Sequence, residues 1–175
     1  MSSRDGTISI EAGHAVLRYE RRYEHPIERV WDAITRPERL VDWLGDAEVE
    51  LEQGGAIRVT WLNTDEQGNS AVFTGRITRF EPPHVFEYDG DIHGRLRWEL
   101  SEDGPAATVL RLTNWTPAPP EFRSKTAAGW DIHLDHLAAA LDGGSVDWPR
   151  WYDEHYPAWQ SKEARYAEAA SQLGG

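Results

Sequence analysis

The chain has 175 residues, a formal net charge of -12 from 30 Asp and Glu against 18 Lys and Arg, and no cysteine. That length suits one domain, residues 1–175, with a sizeable core; the missing thiols exclude disulfides, thiolate catalysis and Cys-based metal sites, and the acidic surplus argues against a nucleic-acid partner. No run of about 18 apolar residues is present and the N-terminal stretch lacks a signal-peptide core, so no membrane partner and a cytoplasmic location are expected.

The first predicted element is a strand from about His14 to Tyr23. It carries the local basic cluster Arg18, Arg21 and Arg22, which strand alternation divides between two faces. Arg21 shares its face with Leu17, Tyr19 and Tyr23. If that face looks inward, the guanidinium needs a carboxylate, a carbonyl or an anionic ligand. Pro26 and Pro37 then start two short helices, whose apolar residues (Ile27, Val30, Trp31, Ile34; Leu40, Trp43, Leu44) repeat at helical spacing. Strands are predicted at residues 49–51, 56–62, 71–80, 84–88, 96–100 and 108–115, rich in branched and aromatic side chains. The turns between them are too short for parallel crossovers, so neighbouring strands run antiparallel. From Pro120 to Asp142 a long helix follows, stopped by Gly143-Gly144, with Trp130, Leu134, Leu137 and Leu141 within roughly 60° of one another.

This order, one strand, two small helices, several antiparallel strands and one long helix, is that of an α+β helix-grip fold. A curved antiparallel sheet of about seven strands would wrap the long C-terminal helix. The segments VWDAITRPERLVDWLG, GGAIRVTW, FTGRITRFEPPHVFEY and GWDIHLDHLAAAL resemble bacterial homologues of the activator of Hsp90 ATPase. That family lies within the START-like (SRPBCC) superfamily, alongside polyketide cyclases and the major birch pollen allergen. The resemblance spans about residues 14–142. It rests on W-x-x-x-T-x-P-x-x-L-x-x-W, G-R-x-x-x-x-x-P-P and the later Gly129-Trp130 taken together.

The resemblance implies an internal cavity for a small hydrophobic or amphipathic ligand. The cavity is expected between the long helix and the concave face of the sheet. Trp130 is the expected wall and His133 the polar group at the rim, with Ala127 and Ala140 flanking that helix face. Tyr19, Arg21, Phe73, Phe86, Tyr88 and Trp98 are further lining candidates, conditional on strand register, since one slip reverses every face.

His133 and His136 sit one turn apart, but Asp131 and Asp135 project on the opposite flank, so no metal site is expected. One half-buried and one solvated histidine is the expected outcome. His14, His25, His84, His93 and His155 fall in turns or ends and read as structural or surface residues. No nucleophile motif, phosphate loop or zinc motif is present, so no catalytic residue and no cofactor are assigned. A cyclase, dehydratase or hydrolase using the cavity is the alternative to simple binding. A chaperone-associated role is the third reading; eukaryotic activators carry an additional N-terminal domain, whereas only about 13 residues precede the first strand here.

Residues 143–175 extend beyond the family-like region and carry Trp148, Trp151, Tyr152, Tyr156, Trp159 and Tyr166. So aromatic a segment is expected to be ordered, packed either on its own domain or in a homodimer contact, with the closing AEAASQLGG frayed.

Overall fold

The structure, a computed structural model, describes residues 5–174. Eight strands form one antiparallel sheet: β1 (Thr7–Glu11), β2 (His14–Tyr23), β3 (Gly45–Val49), β4 (Ala56–Trp61), β5 (Val72–Glu81), β6 (Val85–Gly90), β7 (Arg95–Glu102) and β8 (Thr108–Thr116). Their spatial order is β1-β2-β8-β7-β6-β5-β4-β3, so the early hairpin joins the last strand and β3 forms the far edge. Helices α1 (Ile27–Thr35) and α2 (Pro37–Leu40) follow β2, α3 (Arg123–Leu141) crosses the sheet, and α4 (Trp151–Ser171) packs on α3.

The expected helix-grip architecture is present, with one strand more than expected. β1 is the addition, turned onto β2 by Ala12 and Gly13 at φ 48° and 82°, the positive-φ pair that two-residue hairpins favour. It is an edge strand with little burial, and Ile10 is exposed, so the segment lacks the apolar run that marks interior strands. β3 also lies earlier than expected, at Gly45–Val49 and not at residues 49–51; it pairs with β4 from Gly45 opposite Trp61, where the nearby Thr60 carbonyl leaves no room for a side chain.

Alternation along the strands divides the faces. On the concave face, Leu17 and Tyr19, Ile57 and Val59, Phe73 and Ile77, Phe86 and Tyr88, Leu96 and Trp98, and Leu110 and Leu112 are buried. The helical hairpin closes one end of this core through Trp31 and Trp43, both buried. Trp43 donates its indole N–H to the Ala33 carbonyl at 2.8 Å and meets Trp98 edge-on at 5.9 Å.

The C-terminal extension packs in cis. Trp151 and Tyr166 are buried, and α4 runs unbroken to Ser171, through the segment expected to fray, with Pro157 accommodated inside it. A short 3-10 turn at Trp148–Arg150 begins the extension, and the Trp148 indole donates to the Val41 carbonyl at 2.7 Å, tying it to the helical hairpin. Among the described residues, no helix is long and apolar enough to cross a membrane.

Candidate functional site

Asp131 faces away from the cleft described below and accounts for how α4 is held. Its carboxylate is 1 % exposed and receives Arg21 Nη2 at 3.0 Å, Lys162 Nζ at 2.8 Å and the Tyr166 hydroxyl. Tyr166 in turn accepts the Gly6 backbone N–H at 2.7 Å. Burial alone would lower the Lys162 pKa; hydrogen bonds to Asp131 and Asp135 outweigh it and leave that pKa raised. Thus the carboxylate that Arg21 requires is Asp131, and the second cation on it comes from the extension.

The six other proposed lining residues divide cleanly from Trp130 and His133. Arg21 is held by Asp131, and the Tyr19 hydroxyl donates to the Ala127 carbonyl at 2.9 Å. Phe73, Phe86, Tyr88 and Trp98 pack among themselves and on Trp130, with Phe86–Tyr88 centroids at 5.1 Å and Trp98–Trp130 at 5.9 Å. The Trp98 indole donates to the Tyr88 hydroxyl at 3.1 Å. These rings fill the middle of the concave face where the cavity was expected, and the open space lies to one side, towards β4.

That space is a cleft of about 540 Å³, bounded by the end of β4 and the β4–β5 loop, the β6–β7 turn, the N-terminal half of α3 and the first half of α4. Phe122, just before α3, and Lys125, Thr126, Gly129, Trp130 and His133 on it line the cleft, a single helical face generated by steps of three and four residues. Gly129 is the gap in that face: a Cβ added there would meet nothing within 4 Å. Neither Ala127 nor Ala140 borders the cleft. Trp61 forms the floor, edge-on to Trp130 at 5.4 Å, His133 at 5.0 Å and His93 at 5.2 Å.

The loop side is held by Asp65. Its carboxylate accepts the backbone N–H groups of Gln67 and Asn69 at 2.9 and 2.8 Å, and Gly68 takes φ 77° to close the turn. The backbone bond from Asn69 is the largest influence lowering the Asp65 pKa. Opposite it, α4 presents Trp151, Tyr156 and Trp159, and the Tyr156 hydroxyl reaches Glu66 at 3.3 Å across the mouth. Tyr152, Tyr156 and Trp159 stack in succession, with centroids 4.5 and 5.4 Å apart.

The floor is uncharged. His133 is 2 % exposed, deeper than the rim position expected for it, and its Nδ1 lies 2.7 Å from the Gly129 carbonyl. A carbonyl only accepts, so Nδ1 carries the proton. Burial holds the His133 and His93 pKa values down to about 4, leaving both rings neutral near pH 7. Seven buried side-chain polar atoms have no hydrogen-bond partner among the described residues, and four belong to the cleft: Trp61 Nε1, Asn63 Oδ1, His93 Nε2 and His133 Nε2.

The expectation of one solvated histidine on α3 is overturned. His136 is 5 % exposed because α4 covers it: Trp151 donates its indole N–H to His136 Nε2 at 2.9 Å, and His155 stacks edge-on at 4.6 Å. His93, read from sequence as a turn or surface residue, is half-buried against Trp61, Phe73 and Trp130. Its position in the Asp91–Gly94 turn gave no sign of this, and the contribution of α4 lay outside the family-like segments. Among the described residues, no group of three or more His, Asp or Glu is placed to hold a metal ion.

Residues 24–142 match the family model described as activator of Hsp90 ATPase homolog 1-like protein. Among solved structures, the chain is similar to CalU16 from Micromonospora echinospora, with 24 % identity over 96 % of this chain and 97 % of that one and a TM-score of 0.72. It is also similar to EF2215 from Enterococcus faecalis, a conserved protein of unknown function, with 20 % identity, 96 % and 91 % coverage and a TM-score of 0.68. DynU16, from the dynemicin biosynthetic locus, is 25 % identical over 74 % of this chain and 48 % of its own, with a TM-score of 0.61. Among proteins of curated function, none matches the sequence.

Proposed function

Since the chain belongs to the activator of Hsp90 ATPase homolog 1-like family, we propose that it binds a small hydrophobic or amphipathic ligand in the cleft between Trp61, α3 and α4. The observation that carries this reading is Gly129. A glycine inside a helix costs about 1 kcal/mol relative to alanine, and alanine would fit here without a clash. The missing methyl leaves room in the cleft at the expense of helix stability, as a site shaped for a ligand requires. The aromatic floor and the aromatic wall from α4 are those of small-molecule sites in general, and the β4–β5 loop adds a polar rim.

A second reading has one observation in its favour. His133, oriented through Nδ1 with Nε2 unbonded, has the arrangement of a general base, as a cyclase, dehydratase or hydrolase would use. Its pKa of about 4 makes it a weak base at neutral pH, so binding without turnover is the better account.

Titration with naphthalene, followed by tryptophan emission, tests the binding reading. Saturable quenching is expected from the intact protein and much weaker binding from Gly129→Leu, whose side chain would occupy the cleft. Absence of saturable quenching, or equal binding by both proteins, would contradict it.

A further inference from the structure

The unbonded atoms on the floor specify the chemistry of the ligand more narrowly than the aromatic rings around them do. Trp61 Nε1 is only ever a donor. His133 Nε2 is an acceptor, because its Nδ1 already holds the proton against the Gly129 carbonyl. The two atoms belong to rings that both line the cleft and touch each other, with centroids 5.0 Å apart at 74°. Both side chains are at least nine-tenths buried, and a buried polar group without a partner is costly unless something bonds to it.

Charged ligands fit this floor poorly. A carboxylate could accept from Trp61 but has nothing to donate to His133, and its charge would lose water for a floor that carries no cation, Lys125 standing on the α3 wall. A cation finds no carboxylate on the floor: Asp65 accepts from its own loop, and Glu66 stands at the mouth beside Tyr156. Trp61, Trp130 and His93 meet edge to face around the same spot, which offers ring faces and edges to a flat guest.

We propose that the cleft selects an uncharged, hydroxylated aromatic compound, its hydroxyl donating to His133 Nε2 and accepting from Trp61 Nε1. This rests on the cleft being a ligand site at all, and the test separates the two claims. The probes are 2-naphthol, naphthalene and 2-naphthoate, titrated by calorimetry at pH 7 into the intact protein and into Trp61→Phe and His133→Phe.

The expected result is that 2-naphthol binds the intact protein about tenfold more tightly than naphthalene, as one or two net hydrogen bonds would give, and that 2-naphthoate binds more weakly than either. In each variant the preference for naphthol should shrink to about threefold or less while naphthalene still binds. Trp61→Phe keeps an aromatic ring on the floor and decides the matter if His133→Phe fails to fold. Equal binding of naphthol and naphthalene to the intact protein, tighter binding of naphthoate, or a naphthol preference that survives the substitutions would overturn the hydroxyl-recognition claim and leave the cleft as a ligand site. If none of the three probes binds the intact protein, the ligand-site reading falls with it.

Discussion

His133 Nδ1 lies 2.7 Å from the carbonyl oxygen of Gly129, one helical turn back along α3. The pair joins the open notch in the cleft wall to the imidazole whose other nitrogen is unbonded. The same turn of helix therefore sets the shape of the cleft and the polarity of its floor.

The notch gives a prediction of opposite signs. Gly129→Ala adds a methyl into open space and removes the flexibility of glycine, so thermal or urea denaturation should show a gain of about 0.5–1 kcal/mol. The same substitution should weaken ligand binding by narrowing the cleft. A loss of stability would show that the helix does not have room at that position.

Asp131 supports the extension as well as Arg21. Removing the carboxylate in Asp131→Ala leaves Arg21 and Lys162 without a common partner in a buried setting, and the cost should be about 3–5 kcal/mol in urea unfolding. Lys162→Ala, which leaves the Arg21–Asp131 pair intact, should cost clearly less. Equal losses from the two would show that the extension, and not the carboxylate, dominates the network.

Three histidines predict acid sensitivity. Burial depresses His93 and His133 to about 4 and His136 to about 2, against an ordinary value of 6.5. The His133 shift is deepened by neighbouring His93, and that of His136 by His133, His155 and Lys162, while Asp91 partly opposes the His93 shift. The unfolded chain thus binds more protons below pH 6.5, so stability is complete above that value and falls as the pH drops towards 4. Urea midpoints should decline from pH 7 to pH 5, and His136→Gln should flatten the decline. A midpoint constant over that range would contradict the buried, neutral assignment.

Most of the fold was legible because its signals are local. The spacing of Trp31, Ile34, Leu40 and Trp43 around two prolines fixed the helical hairpin, and short turns required antiparallel pairing. The site was less legible. The helical angle puts His133 on the same face of α3 as Trp130, and both border the cleft, whereas strand alternation gives Phe73, Phe86, Tyr88 and Trp98 a face only, and face does not distinguish a wall from a filled core. His93 was missed because a turn residue becomes buried only through tertiary contact with Trp61 and Trp130. Lys162 and Tyr166 were missed as partners of Asp131 because helical angles give a direction and not what stands there. Gly129 carried a readable signal, a glycine in the interior of a strong helical pattern, which marks either a cost or a purpose.

The central claim is that the opening beside Trp61, and not the middle of the concave face, receives the ligand. The nine tryptophans give a direct readout through their indole N–H resonances in a ¹⁵N-labelled sample titrated with 2-naphthol. The Trp61 resonance, from an N–H with no partner among the described residues, should shift strongly and saturably, while that of Trp43, bonded to the Ala33 carbonyl, should stay in place. A shift at Trp43 or Trp98 without one at Trp61, or no indole shift at saturating naphthol, would contradict the account.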